Sequence, residues 1–248
     1  MHVMESSRAR VLAHPEHSLT PAQVRRYGEL VKDRASGYPL PYLTGEVEFY
    51  GLDIEVTPEV LIPRPETEVL VDLALERRPT MVVDVGTGSG CIAVALATHL
   101  PEAAVFAIDI SPAALAVARR NAERYGLGER IRFIVGDLLD RRPEPVDLIV
   151  SNPPYVSADE WTLLPPSIRD YEPRVALNGG SDGLEVVRRL LSQSQGLLEP
   201  GGALLIEIGA SQGELAKEAA ETFFPENGTS IRIHPDLAGR DRVLEVQT

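Results

Sequence analysis

Cysteine is nearly missing from this chain of 248 residues, in which Cys91 stands alone. A disulfide framework is therefore excluded, and so is a zinc site built from several thiolates. Long apolar runs are missing too. No stretch approaches the ~18 consecutive apolar residues that a membrane-crossing helix requires, and Met1-His2-Val3-Met4-Glu5-Ser6-Ser7-Arg8 offers no apolar signal-peptide core. A cytoplasmic location without membrane association is expected. Positive charge is in short supply: 24 Lys and Arg stand against 37 Asp and Glu, for a net charge of −13. Nucleic-acid binders draw affinity from cations that neutralise phosphates. No direct nucleic-acid partner is therefore expected, although Arg25, Arg26, Lys32 and Arg34 form a local basic group. A basic protein is the better electrostatic partner for such a surface.

What is present reads as a globular chain, 44% hydrophobic and 25% charged, long enough for one large domain or a large and a small one. Thr20-Pro21-Ala22-Gln23 is a helix start, with Thr20 as cap, Pro21 at the first position and Gln23 completing a capping box. Val24, Tyr27, Leu30 and Val31 follow at helical spacing. Two alternating runs, Val47–Phe49 and Leu52–Val56, flank Tyr50-Gly51 and read as a β-hairpin. Leu61-Ile62-Pro63-Arg64-Pro65-Glu66-Thr67-Glu68 then leads into a helix whose apolar face is Val69, Leu70, Leu73 and Ala74.

From Thr80 onward strands and helices alternate. Strands are expected at Met81–Val85, Val105–Ile108, Ile131–Val135, Leu148–Val150 and Ala203–Ile208, with two more near Ser230–Ile233 and Val243–Val246. Helices are expected between them at about Cys91–Thr98, Pro112–Tyr125 and Leu184–Leu198. This pattern implies an α/β fold with a mostly parallel sheet covered on both faces. The expected division is residues 1–57, a helical segment plus hairpin, and residues 58–248, the catalytic domain.

Asp84-Val85-Gly86-Thr87-Gly88-Ser89-Gly90 joins the first strand of that domain to its first helix. Alternate glycines allow a tight turn and close backbone approach to a ligand, and the helix start presents free N–H groups. The spacing is G-x-G-x-G, not the dinucleotide G-x-G-x-x-G. Asp109 ends the second strand, where acids bind ribose hydroxyls in nucleoside-binding α/β folds. Asp137 follows the third strand and is placed to accept from an adenine amino group, with Leu138 against the ring. Each acid alone reads sooner as a helix cap or turn residue than as a binding residue. Together, at consecutive strand ends, they point to a nucleoside cofactor.

Asn152-Pro153-Pro154-Tyr155 terminates the apolar run Val146–Val150. Consecutive prolines fix φ, remove two N–H donors and stiffen the backbone at the strand's C-terminal end. A planar –NH2 group fits there, its hydrogens accepted by the Asn152 side chain and a Pro-Pro carbonyl, with Tyr155 covering its face. A plain loop terminator with an Asn cap uses the same residues. The rest of the chain favours the site.

These motifs resemble the Rossmann-like, seven-stranded S-adenosylmethionine-dependent methyltransferases. Asp84–Gly90 is similar to their first motif, Asp109 to their ribose-binding acid and Asn152–Tyr155 to the motif of enzymes that methylate an sp2 nitrogen. The flanking blocks Pro41–Glu46, Glu48–Gly51, Leu61–Glu68, Tyr171–Leu177, Gly179–Leu184 and Asp236–Arg242 resemble the protein-(glutamine-N5) methyltransferases, in particular the branch acting on peptide chain release factors. The resemblance runs from about Leu12 to Val246.

It implies S-adenosyl-L-methionine as donor, S-adenosyl-L-homocysteine as product, and the Gly-Gly-Gln glutamine of release factors as acceptor. The cofactor residues implied are Gly86, Thr87, Gly88, Ser89, Gly90, Asp109, Asp137, Leu138 and Asn152. The catalytic and substrate-binding residues implied are Asn152, Pro153, Pro154 and Tyr155. No metal is expected, and a monomer is. Two departures stand out: the helical segment before the hairpin is shorter than the family's, and Leu138 stands where some members carry an aromatic. The alternatives are a ribosomal-protein glutamine methyltransferase, an adenine-N6 DNA methyltransferase and an inactive cofactor-binding module. The charge and the lack of an added DNA-recognition domain oppose the second, and the intact motifs oppose the third. Cys91 reads as a small buried residue, and Trp161 as either a packing residue or a lining of the substrate entrance.

Overall fold

The polar N-terminal stretch folds as three helices, α1 (Arg8–Ala13), α2 (Pro21–Ala35) and α3 (Leu40–Thr44). The computed structural model describes residues 1–140, 146–225 and 228–248. Helix α2 carries the expected capping box between Thr20 and Gln23. It buries none of its residues, and Val24, Tyr27 and Val31 are exposed. The hairpin follows as β1 (Glu46–Phe49) and β2 (Leu52–Glu55) in antiparallel register, Phe49 opposite Leu52. Tyr50 and Gly51 both have positive φ, 52° and 72°, the turn whose twist suits a two-residue hairpin.

Among the described residues, seven strands form the main sheet: β3 (Met81–Val85), β4 (Ala104–Asp109), β5 (Ile131–Val135), β6 (Val146–Ser151), β7 (Leu198–Glu207), β8 (Ser230–Pro235) and β9 (Asp241–Gln247). Their spatial order is β5-β4-β3-β6-β7-β9-β8. Pairing is parallel from β5 to β7, whereas β9 runs antiparallel to both β7 and β8. The chain winds outward from β3 on one side, then restarts at β6 on the other. The C-terminal ends of β3 and β6 therefore flank a topological switch point, where open α/β sheets bind ligands.

Helices α4 (Glu68–Glu76), α5 (Cys91–His99) and α6 (Pro112–Arg124) cover one face. After two short helices, α7 (Ala158–Trp161) and α8 (Pro166–Arg169), helices α9 (Glu185–Ser194) and α10 (Gly213–Phe223) cover the other. Strand residues alternate between the faces: Val82, Leu148, Val150 and Leu205 pack with the first group, and Val83, Val85, Ile149 and Ile206 with the second. The hairpin joins the first core through Phe49 and Ile54. Buried Asn121 of α6 ties it there, accepting from the Glu55 N–H at 2.7 Å and donating to the Ser89 carbonyl at 2.8 Å.

Three expectations need correction. The helix read to Leu198 stops at Ser194, because Gly196 takes φ 70° and turns the chain into β7. Strand β7 starts earlier than Ala203, through Leu198–Gly202. Helix α10 was not anticipated, since it opens at Gly213 without a side-chain cap. Among the described residues, no helix is long and apolar enough to cross a membrane.

Candidate functional site

The glycine loop leaves β3 with two donors, the Gly86 and Thr87 N–H groups, both on the Ile108 carbonyl (2.8 and 3.0 Å). The Gly88 N–H donates to Asp109 Oδ2 at 2.9 Å, while Asp109 Oδ1 accepts from the Ser111 N–H at 2.8 Å. Asp109 thus fixes the loop against the end of β4, and each carboxylate oxygen keeps lone pairs for a further donor. Burial raises its pKa, partly offset by these N–H bonds.

Gly88 and Gly90 serve different ends. Gly88, at φ 56°, borders open space, and a Cβ there would meet only the Gly86 carbonyl at 3.9 Å. Gly90, at φ 78°, caps α5, and a Cβ would stand 2.9 Å from Ala118 Cβ of α6. Its place is helix packing.

Asp84 is fully buried in this loop. Its Oδ2 accepts from the Thr87 hydroxyl at 2.6 Å, and its Oδ1 makes no hydrogen bond of good geometry. Desolvation pushes its pKa up to about 7, opposed by Thr87 and by the nearby Ala93 N–H. Cys91, buried beside it, is pushed up to about 12 by burial, then by Asp84. A thiol so disfavoured from ionising is no nucleophile.

Beyond β5, Asp137 pairs with Arg189 of α9 at 2.6 Å, and Leu138 adopts φ 55°. Arg189 also borders the cavity described below, and no local sequence signal marks it.

Asn152 follows β6 directly, and its Nδ2 donates to Thr67 Oγ1 at 3.2 Å. Pro153 is buried. The Tyr155 hydroxyl donates to Glu207 Oε1, at the end of β7, at 3.3 Å. Burial raises the pKa of both groups, Glu207 to about 6. The Tyr155 ring therefore turns toward Glu207 and does not border the cavity described below.

The flanking blocks converge on this turn. The Tyr155 carbonyl accepts from Gln212 Nε2 at 2.9 Å, and the Val156 N–H donates to Leu177. A Cβ on Gly179 would lie 2.7 Å from Tyr155 Cα and 2.8 Å from the Pro154 carbonyl, so only glycine lets the segment close over the motif. Glu172, nearly inaccessible, pairs with Arg64 and accepts from the Ile62 N–H at 3.1 Å. It ties the Tyr171–Leu177 block to the Leu61–Glu68 block.

A cavity of about 490 Å³ opens between these parts. Gly86, Thr87, Gly88, Ser89, Asp109, Asp137 and Leu138 border one side, and Thr67, Asn152 and Pro154 another. Gly90, Pro153 and Tyr155 are absent from its lining. Arg174, another lining residue, also lies over the Trp161 ring at 5.0 Å, so Trp161 packs against the rim. Among the described residues, no group of three or more His, Cys, Asp or Glu is placed to hold a metal.

Such a crevice lies at the switch point of the sheet, where open α/β folds bind their ligands, and comparison with known proteins gives its class, a Rossmann-like methyltransferase. Residues 65–164 match the methyltransferase small domain family and residues 1–45 the PrmC N-terminal domain family. The chain is 47% identical to a release factor glutamine methyltransferase of Moorella thermoacetica, over 95% of this chain and 84% of that protein. A protein of the same name from Bordetella pertussis is 43% identical, covering 98% and 90%. The chain belongs to the release factor glutamine methyltransferase family. A solved methyltransferase from Pyrococcus furiosus shares the fold, with TM-score 0.61 at 20% identity over 90% of this chain and 98% of that one.

Proposed function

We propose that the chain transfers a methyl group from S-adenosylmethionine to the side-chain amide nitrogen of the glutamine in the Gly-Gly-Gln motif of peptide chain release factors. The observation that carries this reading is the placement of Asn152 at the rim shared by the glycine-loop side of the cavity and the Pro-Pro turn. Thr67 occupies its Nδ2, and Oδ1 accepts no hydrogen bond among the described residues. That oxygen is left for an incoming –NH2. The net charge of −13 suits a basic protein substrate.

The residues present fit the cofactor. A cradle without side chains at Gly86 and Gly88, an orphaned buried acceptor on Asp84 and acids at two strand ends are donors and acceptors for a nucleoside carrying a cationic tail. The Gly86–Ser89 stretch of the loop, Asp109, Asp137 and Leu138 would hold it. When bound it supplies an electrophilic methyl group on sulfur.

The protein's own task follows from amide chemistry. An amide nitrogen is a poor nucleophile, because its lone pair is delocalised into the carbonyl. Holding it in line with the methyl supplies much of the acceleration. Asn152 Oδ1 accepts one of its hydrogens and a main-chain carbonyl of the Pro153-Pro154 segment the other, stabilising the positive charge that develops on nitrogen as the bond forms, and the surplus proton then leaves to water. Transfer of labelled methyl to a purified release factor tests the reading, with a Gly-Gly-Ala variant as control. Label on the first alone supports it. Label on ribosomal protein or DNA instead overturns the assignment of acceptor.

A further inference from the structure

Among the described residues, Leu138 alone of the non-glycine residues lining the cavity has a left-handed backbone, at φ 55°. A leucine seldom adopts this conformation, and such strain persists only where the surroundings enforce it. Two restraints flank it, and both come from α9.

Asp137, on one side of Leu138, pairs through Oδ2 with Arg189 at 2.6 Å. Leu139, on the other side and fully buried, donates its N–H to Gln193 Oε1 at 2.7 Å. Arg189 and Gln193 stand one helical turn apart on one face of α9. Val186 shares that face and, like Arg189, lines the cavity. The helix itself is anchored, because Val187, Leu190 and Leu191 are inaccessible to solvent and pack in the second core. The turn is also closed from within: the Asp137 N–H donates to Asp140 Oδ1 at 3.0 Å. The Gly136 N–H donates to the Asp109 carbonyl at 3.0 Å, which ties the turn to the end of β4.

Arg189 and Asp137 are both half-exposed, and an ion pair so exposed contributes little to stability. Its consequence is orientation. With Oδ2 held by Arg189, Asp137 Oδ1 accepts no hydrogen bond among the described residues and is left for a donor in the cavity. An ionised carboxylate only accepts, so it favours a base edge that carries an amino group over one that carries an oxygen.

We propose that Arg189 and Gln193 are positioning residues that clamp the Asp137-Leu138-Leu139 turn and thereby set the preference of the cavity for adenine over hypoxanthine. Both act through Asp137 and Leu138, away from the Pro-Pro turn. The inference rests on the nucleoside cofactor proposed above and is independent of the methyl acceptor.

The test is calorimetric binding of S-adenosylhomocysteine and of S-inosylhomocysteine, in which oxygen replaces the exocyclic amino group. The proteins are the parent, Arg189→Ala, Arg189→Lys and Gln193→Ala. One hydrogen bond to a charged acceptor should make the parent prefer the amino form by roughly tenfold or more. In both alanine variants that ratio should fall below about threefold, through weaker binding of the amino form. Lysine at 189 keeps a cation for Asp137 and should hold the ratio above about fivefold. In the ligand-free protein, hydrogen exchange at the Leu139 N–H should be at least tenfold faster in Gln193→Ala than in the parent. Equal weakening of both ligands overturns the proposal, because a general structural defect lowers both affinities and leaves their ratio alone. A parent-like ratio in the alanine variants, or unchanged Leu139 exchange, overturns it too. A parent that binds neither ligand, or both alike, refutes the cofactor reading and the base selection with it. A parent that shows the preference, loses it in the alanine variants and labels no release factor refutes only the acceptor assignment.

Discussion

Gly88 and Gly90 look equivalent in the loop Gly86-Thr87-Gly88-Ser89-Gly90, yet alanine should fail at the two positions for different reasons. At Gly90 the backbone has φ 78°, and the new Cβ would lie 2.9 Å from Ala118 Cβ and 3.1 Å from its Cα. A left-handed conformation costs a non-glycine residue ~1–2 kcal/mol, and overpacking against a well-packed helix a further ~1–3 kcal/mol. The expected destabilisation is about 2–5 kcal/mol. At Gly88, φ 56°, the nearest atom is 3.9 Å away, so only the backbone cost of ~1–2 kcal/mol applies. Gly88 borders the cavity and Gly90 does not. Urea unfolding and calorimetric titration with S-adenosylmethionine separate the two effects. Gly90→Ala should lose the larger stability and bind the cofactor within about threefold of parent while folded. Gly88→Ala should lose less stability and at least tenfold in affinity. Adding Ala118→Gly to Gly90→Ala should return the packing part and leave the backbone part. A stable Gly90→Ala that fails to bind would refute the reasoning.

The remaining predictions concern buried charge and the cofactor wall. Asp84 has a folded pKa of about 7, well above the ordinary carboxylate value near 3.8. Between those values the folded state holds the extra proton, so this group's contribution to stability falls as pH rises. At ~1.4 kcal/mol per pKa unit, Asp84→Asn should gain on the order of 3–4 kcal/mol over parent between pH 4 and pH 8. A pH-independent difference in thermal or urea unfolding would contradict this. Glu172→Gln leaves Arg64 without its charge partner but can still accept from the Ile62 N–H. With Arg64 partly exposed, the loss should sit at the low end of a broken buried pair, about 2–3 kcal/mol by urea unfolding. Leu138→Phe should tighten cofactor binding by ~0.5–1.5 kcal/mol if the side chain stacks on the adenine. Unchanged calorimetric affinity would remove Leu138 from that role.

Much of this architecture is legible in the chain itself, because buried parallel strands are short apolar runs whose ends carry acids or turn residues. Met81–Val85 and Ile131–Val135 fall where the pattern puts them. The antiparallel entry of β9 has a local signal as well: the short Asp236–Arg240 turn after β8 leaves no room for a parallel crossover. Helix α10 lacks a cap, and its face of Ala216, Ala220 and Phe223 is diluted by alanine. The site was legible where it depends on strand ends. It was not legible where partners come from distant segments: the pairing of Asp137 with Arg189, the approach of Gly90 to Ala118, and the contacts of Thr67 and Glu207 with Asn152–Tyr155. No local periodicity encodes such contacts. Only the sheet order brings them together.

The central claim is that Asn152 orients and polarises the acceptor amide and contributes little to holding the cofactor. Single-turnover methyl transfer by Asn152→Ala, with S-adenosylmethionine affinity measured on the same preparation, tests this most directly. The account predicts a rate at least a hundredfold lower, in the range seen when one oriented hydrogen-bonding group is removed from a site (~10²–10³), with affinity within about twofold of parent. Equal losses in rate and affinity, or a rate near that of parent, would contradict it.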